Sequence, residues 1–248
     1  MRCIRAYQEQ SLQAGMEVLL DERVSHHWLH VLRLRSGVGV RLFNGDGRDY
    51  PGVLQVLGKR EGKVMLRSPI RVAENTLPRL TLLQGLSRGE RMDLVLQKAT
   101  ELGVNEIIPL HTEHSQVRLH GARLRKRMQH WRQVMISACE QCGRATLVRL
   151  HEPQTVATVA EATGKADLRL LLQPDAGAAL TAVLQSGADG SAVQIAVGPE
   201  GGFSVAEASC LGQAGFMPVH LGRNVLRTET AAMAAAALVK LAALTDAG

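Results

Sequence analysis

Beyond Arg79 the hydrophobic pattern of this 248-residue chain settles into a rhythm. Short runs of leucine, isoleucine and valine alternate with longer segments whose apolar residues recur every three to four positions. The runs predict strands at 79–86, 104–110, 146–150, 167–172, 193–198 and 217–221. The segments between and after them predict helices at 91–102, 119–141, 155–163, 177–185, 204–214 and 228–244. Such alternation belongs to an α/β domain with a mainly parallel sheet. The first 70 residues differ and read as strands around one helix. Asp21 caps a helix through about Leu34, and Val38 to Phe43 is a strand ended by the turn Asn44-Gly45-Asp46-Gly47. Tyr50 to Leu57 and Lys63 to Arg67 then form a hairpin, so a small β-barrel is expected. Ala73-Glu74-Asn75-Thr76-Leu77-Pro78 reads as a linker, because the residues before a proline favour extended backbone. The expected organisation is therefore a barrel over 1–72, a linker over 73–78 and an α/β domain over 79–248.

Composition adds a soluble globular character, since 46% hydrophobic residues suffice for a core. No apolar run approaches the roughly 20 residues that span a bilayer, and Met1-Arg2-Cys3-Ile4-Arg5 lacks the apolar core of a signal peptide. A cytoplasmic protein without a membrane partner is the expectation, with Cys3, Cys139, Cys142 and Cys210 as reduced thiols. The net charge of +6 is unevenly spread. Residues 1–78 carry 12 Lys and Arg against 8 acids and residues 79–150 carry 12 against 6, whereas residues 151–248 carry 5 against 9. A basic first part is the electrostatic footprint of a nucleic-acid partner, and an acidic last part suits a small cationic ligand. Aromatic residues are only 3% of the chain, which argues against base stacking on an aromatic platform as the main mode of binding.

Candidate chemistry concentrates in the acidic part. Gly198-Pro199-Glu200-Gly201-Gly202-Phe203-Ser204 follows one strand, and Leu221-Gly222-Arg223-Asn224-Val225-Leu226-Arg227-Thr228-Glu229-Thr230 follows the next. Both would lie at the carboxyl edge of the sheet, where ligands of open α/β folds bind. Ser204 with Glu207 reads as a capping box that starts the following helix. In the long helix, Leu124, Met128, Trp131, Met135, Ala138 and Cys142 form one apolar stripe, with Arg123, Arg125, Lys126, Arg127 and Arg132 on the other faces. Those cations are either a solvated helix face or contacts to RNA phosphates. Cys139-Glu140-Gln141-Cys142 has CxxC spacing, but no second pair completes a zinc site and its place late in a helix is not that of a redox motif. Both cysteines read as buried small hydrophobes. His111-Thr112-Glu113-His114 lacks the spacing of a zinc protease helix, so no metal is expected. GxGxxG, Walker and G-x-S-x-G motifs are missing from the sequence, which argues against a dinucleotide dehydrogenase, a P-loop NTPase and a serine hydrolase.

The two loops, together with Ser87-Arg88-Gly89-Glu90-Arg91-Met92, Gln97-Lys98-Ala99-Thr100-Glu101-Leu102-Gly103-Val104, Ser115-Gln116-Val117-Arg118 and Glu140-Gln141-Cys142-Gly143-Arg144, resemble a known family nearly end to end. It is that of the RsmE-type 16S rRNA uridine-N3 methyltransferases, of the SPOUT (trefoil-knot) class. The resemblance implies a C-terminal SPOUT trefoil-knot domain with a mainly parallel sheet, preceded by a small PUA-like β-barrel. It implies S-adenosylmethionine held by Leu172, Gln173 and Pro174, by Val197, Gly198, Pro199, Glu200, Gly201 and Gly202, and by Leu221, Gly222, Arg223, Asn224, Val225, Leu226 and Thr230. Where relatives often have Gly-Pro or Gly-Lys in the second loop, Gly222-Arg223-Asn224 stands here, so a backbone role is expected there rather than a side-chain one. Arg227 is the candidate catalytic donor and Glu229 its orienting carboxylate or a sensor of the sulfonium; the two could equally form a structural ion pair. Arg33, Arg35, Arg88, Lys98, Arg118 and Arg144 are the candidate RNA contacts, with Glu140 and Gln141 near the site. The implied partners are 16S rRNA or the small ribosomal subunit and a second copy of the chain. A ribose 2′-O or tRNA methyltransferase of the same class, and a non-catalytic RNA-binding assembly factor, are the rival readings.

Overall fold

The structure is a computed structural model and describes residues 4–73, 78–162, 166–185 and 192–245. Most of the expected linker and Cys3 lie outside those residues. Contacts divide the chain into two compact units, Met1–Glu74 with Ile136–Leu147, and Asn75–Met135 with Val148–Gly248.

The first unit contains β1 (Arg5–Tyr7), β2 (Glu17–Leu19), α1 (Glu22–Ser25), β3 (Gly39–Phe43), β4 (Arg48–Val56), β5 (Gly62–Leu66) and β6 (Ile70–Arg71). These strands form one mixed sheet in the order β1-β3-β4-β5-β2, with β6 against β4 and the β1–β3 ladder parallel. Leu42, Leu54, Val64, Val18 and Trp28 fill its core. The Asp21 carboxylate accepts from the Val24 amide at 2.7 Å and so starts α1 as expected. The helix does not reach Leu34. From His26 to Val31 it widens into a π-helix, Leu32 donates to the His27 carbonyl, and Arg33 adopts a left-handed φ of 53° that ends it.

In the second unit the expected alternation is observed: β7 (Arg79–Gly85), α2 (Glu90–Glu101), β8 (Glu106–His111), α3 (Gly121–Cys142), β9 (Arg149–Leu150), β10 (Gln154–Thr155), α4 (Val156–Glu161), β11 (Leu168–Leu172), α5 (Leu180–Gln185), β12 (Ala192–Val197), α6 (Val205–Gln213), β13 (Met217–Val219) and α7 (Thr228–Thr245). All ladders are parallel, in the order β10-β8-β7-β12-β11-β13 with β9 beside β8. The period of two along β7 sends Leu80 and Leu82 to one face and Leu83 to the other. The first face packs on α2, α7 and Trp131 of α3; the second packs on α4 and α6. In the alanine run of α7, Ala232, Ala235 and Ala236 are buried against the first face, and small side chains there permit close approach to α2.

The last turns of α3 belong to the first unit, which a linear reading of the boundary misses. Cys139 is fully buried beside Tyr7, Phe43 and Ile136. Glu140 accepts from the Tyr7 amide at 3.0 Å and from Arg23 at 2.9 Å, so its carboxylate holds the unit together. Arg5 donates to the Cys139 and Arg144 carbonyls, pairs with Asp49 at 2.6 Å and lies over the Phe43 ring. Cys142 corrects the sequence reading: the stripe stops at Ala138 and Cys139, and Cys142 is exposed at the end of the helix.

Candidate functional site

Three parallel strands end at the same edge of the sheet, and the chain leaving each of them walls one cavity. From β11 come Leu172, Gln173 and Pro174; from β12 come Val197 and the first glycine loop; from β13 comes the stretch that runs to α7. The carboxyl edge of such a sheet is where its ligands are expected. The cavity has a volume of about 450 Å³, within the range of small-molecule sites.

The glycines of the first loop are required by close approach. A Cβ on Gly198 would stand 2.9 Å from the Gly202 Cα, and one on Gly85 at the end of β7 would stand 2.4 Å from the Pro199 nitrogen. Gly202 donates to the Pro199 carbonyl at 2.9 Å and takes a φ of 70°, closing the turn. Ser204 and Glu207 then form the expected capping box of α6. The remaining Glu207 oxygen accepts from the Glu113 amide at 2.9 Å.

Thr228 ties the two loops together. Its hydroxyl donates to the Gly198 carbonyl at 2.6 Å and accepts from the fully buried Gln84 amide at 2.9 Å, while Gln84 also donates to the Gly85 carbonyl. One hydroxyl therefore links β7, the first loop and the start of α7. Thr228→Val should leave the Gly198 carbonyl without its donor, a cost of about 1–3 kcal/mol. The expected outcome is ligand affinity about tenfold weaker by calorimetry, restored by Thr228→Ser.

Most of the residues expected to hold a cofactor line the cavity: Leu172, Gln173, Pro174, Val197, Gly198, Pro199, Glu200, Gly202, Leu221, Gly222, Asn224, Val225 and Leu226. Three do not. Gly201 is turned toward His114, whose Nδ1 lies 2.9 Å from its carbonyl oxygen. Arg223 is exposed beyond the rim, and the helical turn of α7 carries Thr230 to the exposed side. Arg91, Val219, His220, Thr228 and Ala231 join the lining without having been anticipated. Thr228 and Arg91 stand inside motifs quoted above for the resemblance, whereas Gln84 hides in an ordinary strand run.

Arg227 and Glu229 both line the cavity in different settings. Arg227 is exposed; Glu229 is 8% exposed, and its Oε2 is buried with no hydrogen-bond partner. No ion pair joins them among the described residues, so neither the structural-pair reading nor orientation of Arg227 by Glu229 holds here. A buried carboxylate oxygen without a donor suits a cationic ligand. Leucine, valine and proline walls, loop backbone groups and this carboxylate together fit an adenosyl sulfonium compound.

Glu200 forms a second contact zone. Its Oε1 accepts from Arg91 at 2.7 Å and from the Arg88 amide at 3.3 Å. Partial burial would raise its carboxyl pKa, but hydrogen bonds from its own amide, the Arg91 guanidinium and the Arg88 amide outweigh that and hold it below the usual range. Glu200 is thus a carboxylate at neutral pH and a weak proton acceptor. Because the folded-state pKa is lowered, this pairing stabilises the fold fully above the unfolded carboxyl pKa and is lost as pH falls through the folded value. Protection of the Arg88 amide, measured as its exchange relative to the intrinsic rate, should hold at neutral pH and fall as pH drops through the lowered Glu200 pKa. Burial, then the charges of His120 and Arg118, push His111 down, so it adds no positive charge near neutrality.

The candidate RNA contacts separate by exposure. Arg33 and Arg35 are exposed in the first unit, and Arg88 and Arg118 are exposed in the second. Lys98 is half-buried and paired with Glu101 at 2.9 Å. Arg144 is 9% exposed with its Nε 3.4 Å from the Thr146 hydroxyl, which leaves it less open to a phosphate than the four exposed arginines. Among the described residues no group of three metal-binding side chains occurs, and no helix is long and apolar enough to cross a membrane.

Two sequence profiles match the chain. That of an RNA methyltransferase domain matches residues 73–240, and that of an RNA methyltransferase PUA domain matches residues 20–64. Fold and site thus define the class: a PUA-like unit joined to an α/β RNA methyltransferase domain. The ribosomal RNA small subunit methyltransferase E of Rickettsia conorii is 32% identical over 228 residues, 89% of each chain, and that of a Buchnera aphidicola is 29% identical over 94% of each. Among solved structures, a methyltransferase from Legionella pneumophila in complex with the bound cofactor SAM shares 36% identity, with a TM-score of 0.89 over 98% of both chains. The ribosomal RNA small subunit methyltransferase E from Neisseria gonorrhoeae bound to S-adenosyl methionine shares 33%, with a TM-score of 0.86 over 96% of this chain and 97% of that one. The chain belongs to the ribosomal RNA small subunit methyltransferase E family, the RsmE-type SPOUT enzymes.

Proposed function

We propose that the protein transfers a methyl group from S-adenosylmethionine to N3 of a uridine in the decoding region of 16S rRNA, acting in the cytoplasm as a homodimer. The observation that carries this reading is the cavity at the ends of β11, β12 and β13, with its apolar walls and the unpartnered Glu229 oxygen. S-adenosylmethionine supplies an electrophilic methyl group on a sulfonium sulfur. Leu172, Val197, Leu221 and Leu226 would enclose the adenosyl part, and Glu229 would balance the positive charge.

Uracil N3 bears a proton between two carbonyls, so methylation requires loss of that proton and support for negative charge on O2 and O4. Arg227, exposed and lining the same cavity, is our candidate donor to that charge. Its lowered pKa makes Glu200 a poor base for that proton, and water or a group of the RNA is the acceptor in this reading. The exposed cations Arg33, Arg35, Arg88 and Arg118 serve the RNA backbone, and the target base is flipped out or presented by the particle.

The test is incubation with methyl-labelled S-adenosylmethionine and purified small subunits or naked 16S rRNA from a strain lacking the enzyme. Label in 16S rRNA is expected. Calorimetry showing no binding of S-adenosylmethionine would favour a non-catalytic assembly factor instead. Equilibrium sedimentation should give a dimer, and a fully active monomer would overturn the homodimer.

A further inference from the structure

His220 follows β13 on the wall of the cofactor cavity, and its surroundings fix both its place and the nitrogen that carries its proton. Its amide donates to the Ala178 carbonyl at 2.9 Å and its carbonyl accepts from the Leu180 amide at 3.0 Å, so its backbone is pinned on both sides to the chain entering α5. Its ring Nδ1 accepts from the Gly222 amide at 3.0 Å. A backbone amide only donates, so Nδ1 carries no proton and the neutral ring holds its proton on Nε2. Among the described residues no hydrogen bond engages Nε2. We propose that His220 is a further cofactor-binding residue: its Nδ1 holds the second loop in shape through Gly222, and its Nε2–H donates to the adenosyl part of S-adenosylmethionine.

The place of His220 within the cavity decides which part of the cofactor its donor meets. Strands β11 and β13 pair with Leu172 opposite Val219, and Gln173 donates to the Val219 carbonyl at 3.0 Å, so His220 belongs to the wall that Leu172, Gln173, Pro174 and Leu221 form. That is the apolar side proposed to enclose the adenosyl group, whereas Glu229, proposed to face the sulfonium, comes from α7. An adenosyl group presents ring nitrogens and ribose oxygens that accept hydrogen bonds, and leucine and proline offer their side chains no donor for them. A neutral Nε2–H supplies one without adding charge to the site of a cationic ligand. The ring cannot turn over without breaking its bond to Gly222, so the donor is set before the ligand arrives. Gly222 takes a φ of 124°, which glycine adopts readily, and Gly222, Asn224 and Leu226 of the same loop line the cavity. Loss of the ring therefore acts on the ligand twice, through the donor and through the loop.

This inference rests on the proposed cofactor site, and replacing the ring in two ways tests it separately. The carboxamide of asparagine stands where Nδ1 does, so His220→Asn should keep the Gly222 bond and lose only the donor. It should bind S-adenosylhomocysteine about five- to tenfold more weakly in calorimetry. His220→Leu loses both bonds and should bind more weakly still. With 5′-methylthioadenosine, which lacks the amino-acid part, His220→Asn should show the same loss as with the full compound. In the wild type, nitrogen NMR of the imidazole above neutral pH should find the proton on Nε2 and a shift of that signal when S-adenosylhomocysteine is added. Affinity of either variant equal to that of the wild type, a loss that vanishes with 5′-methylthioadenosine, or a proton on Nδ1 would overturn the role of His220 while leaving cofactor binding intact. Failure of the wild-type protein to bind S-adenosylhomocysteine would instead bring down the methyl-transfer reading, and this inference with it.

Discussion

Arg227→Ala should bind S-adenosylmethionine within about twofold of the wild type and methylate small subunits about 100- to 1,000-fold more slowly. The expectation follows from where the side chain sits. Arg227 lines the cavity yet is exposed, and among the described residues it has no carboxylate partner. Its guanidinium is therefore not spent on holding the loop; the Thr228 hydroxyl does that through Gly198 and Gln84. Removing a preorganised donor to a developing oxyanion costs about 3–4 kcal/mol at the transition state and little in the ground state. The loss should appear in kcat, with the melting temperature unchanged. Undiminished methylation by a variant that binds cofactor normally would remove Arg227 from the chemistry. A parallel loss of cofactor affinity would make it a scaffold of the second loop.

Arg5→Ala should destabilise the first unit by about 3–5 kcal/mol. Asp49 is 2% exposed, and its carboxylate accepts from Arg5 through two nitrogens, with Arg41 a longer 3.3 Å away. Truncating Arg5 strands that carboxylate and also removes one donor from each of the Cys139 and Arg144 carbonyls. The cost comes from the group left behind rather than from the value of the pair. Arg5→Ala with Asp49→Ala should therefore be less destabilised than the sum of the single variants. Thermal unfolding followed by circular dichroism should show the transition lowered by about 10 °C in Arg5→Ala. A shift within about 2 °C would mean that Arg41 alone satisfies Asp49.

The sequence made the second unit far more legible than the first. Its strands β7, β8, β11 and β12 are long enough for periodicity to register, as at Leu80, Leu82 and Leu83, and each is followed by a helix of different period. In the first unit, β1, β2 and β6 have three, three and two residues, too short for a period of two to stand out. They exist because neighbouring strands supply the pairing. The π-helical turn after Ser25 depends on where Trp28 is buried, which local propensity does not encode.

At the site, the glycine loops and their capping serine were readable because turns and caps carry their own residue signature. Gln84 was not, since a buried glutamine in a strand shows its purpose only when Thr228, 144 positions away, is brought beside it. Arg144 and Glu140 illustrate the reverse failure. They stand in a motif that marks the family, yet their partners Thr146, Tyr7 and Arg23 lie within the first unit, where they serve its packing. Their place in the motif does not reveal these internal partners, which appear only when the fold brings Tyr7 and Arg23 beside Glu140.

The most direct test of the account is the identity of the nucleoside that receives the methyl group. Small subunits from a strain lacking the enzyme are incubated with the purified protein and methyl-labelled S-adenosylmethionine, and the 16S rRNA is digested and resolved by mass spectrometry. The expected product is N3-methyluridine at one position of the decoding region, missing when S-adenosylmethionine is omitted. A 2′-O-methylated nucleoside, label in transfer RNA, or no label at all from protein that binds the cofactor would contradict it.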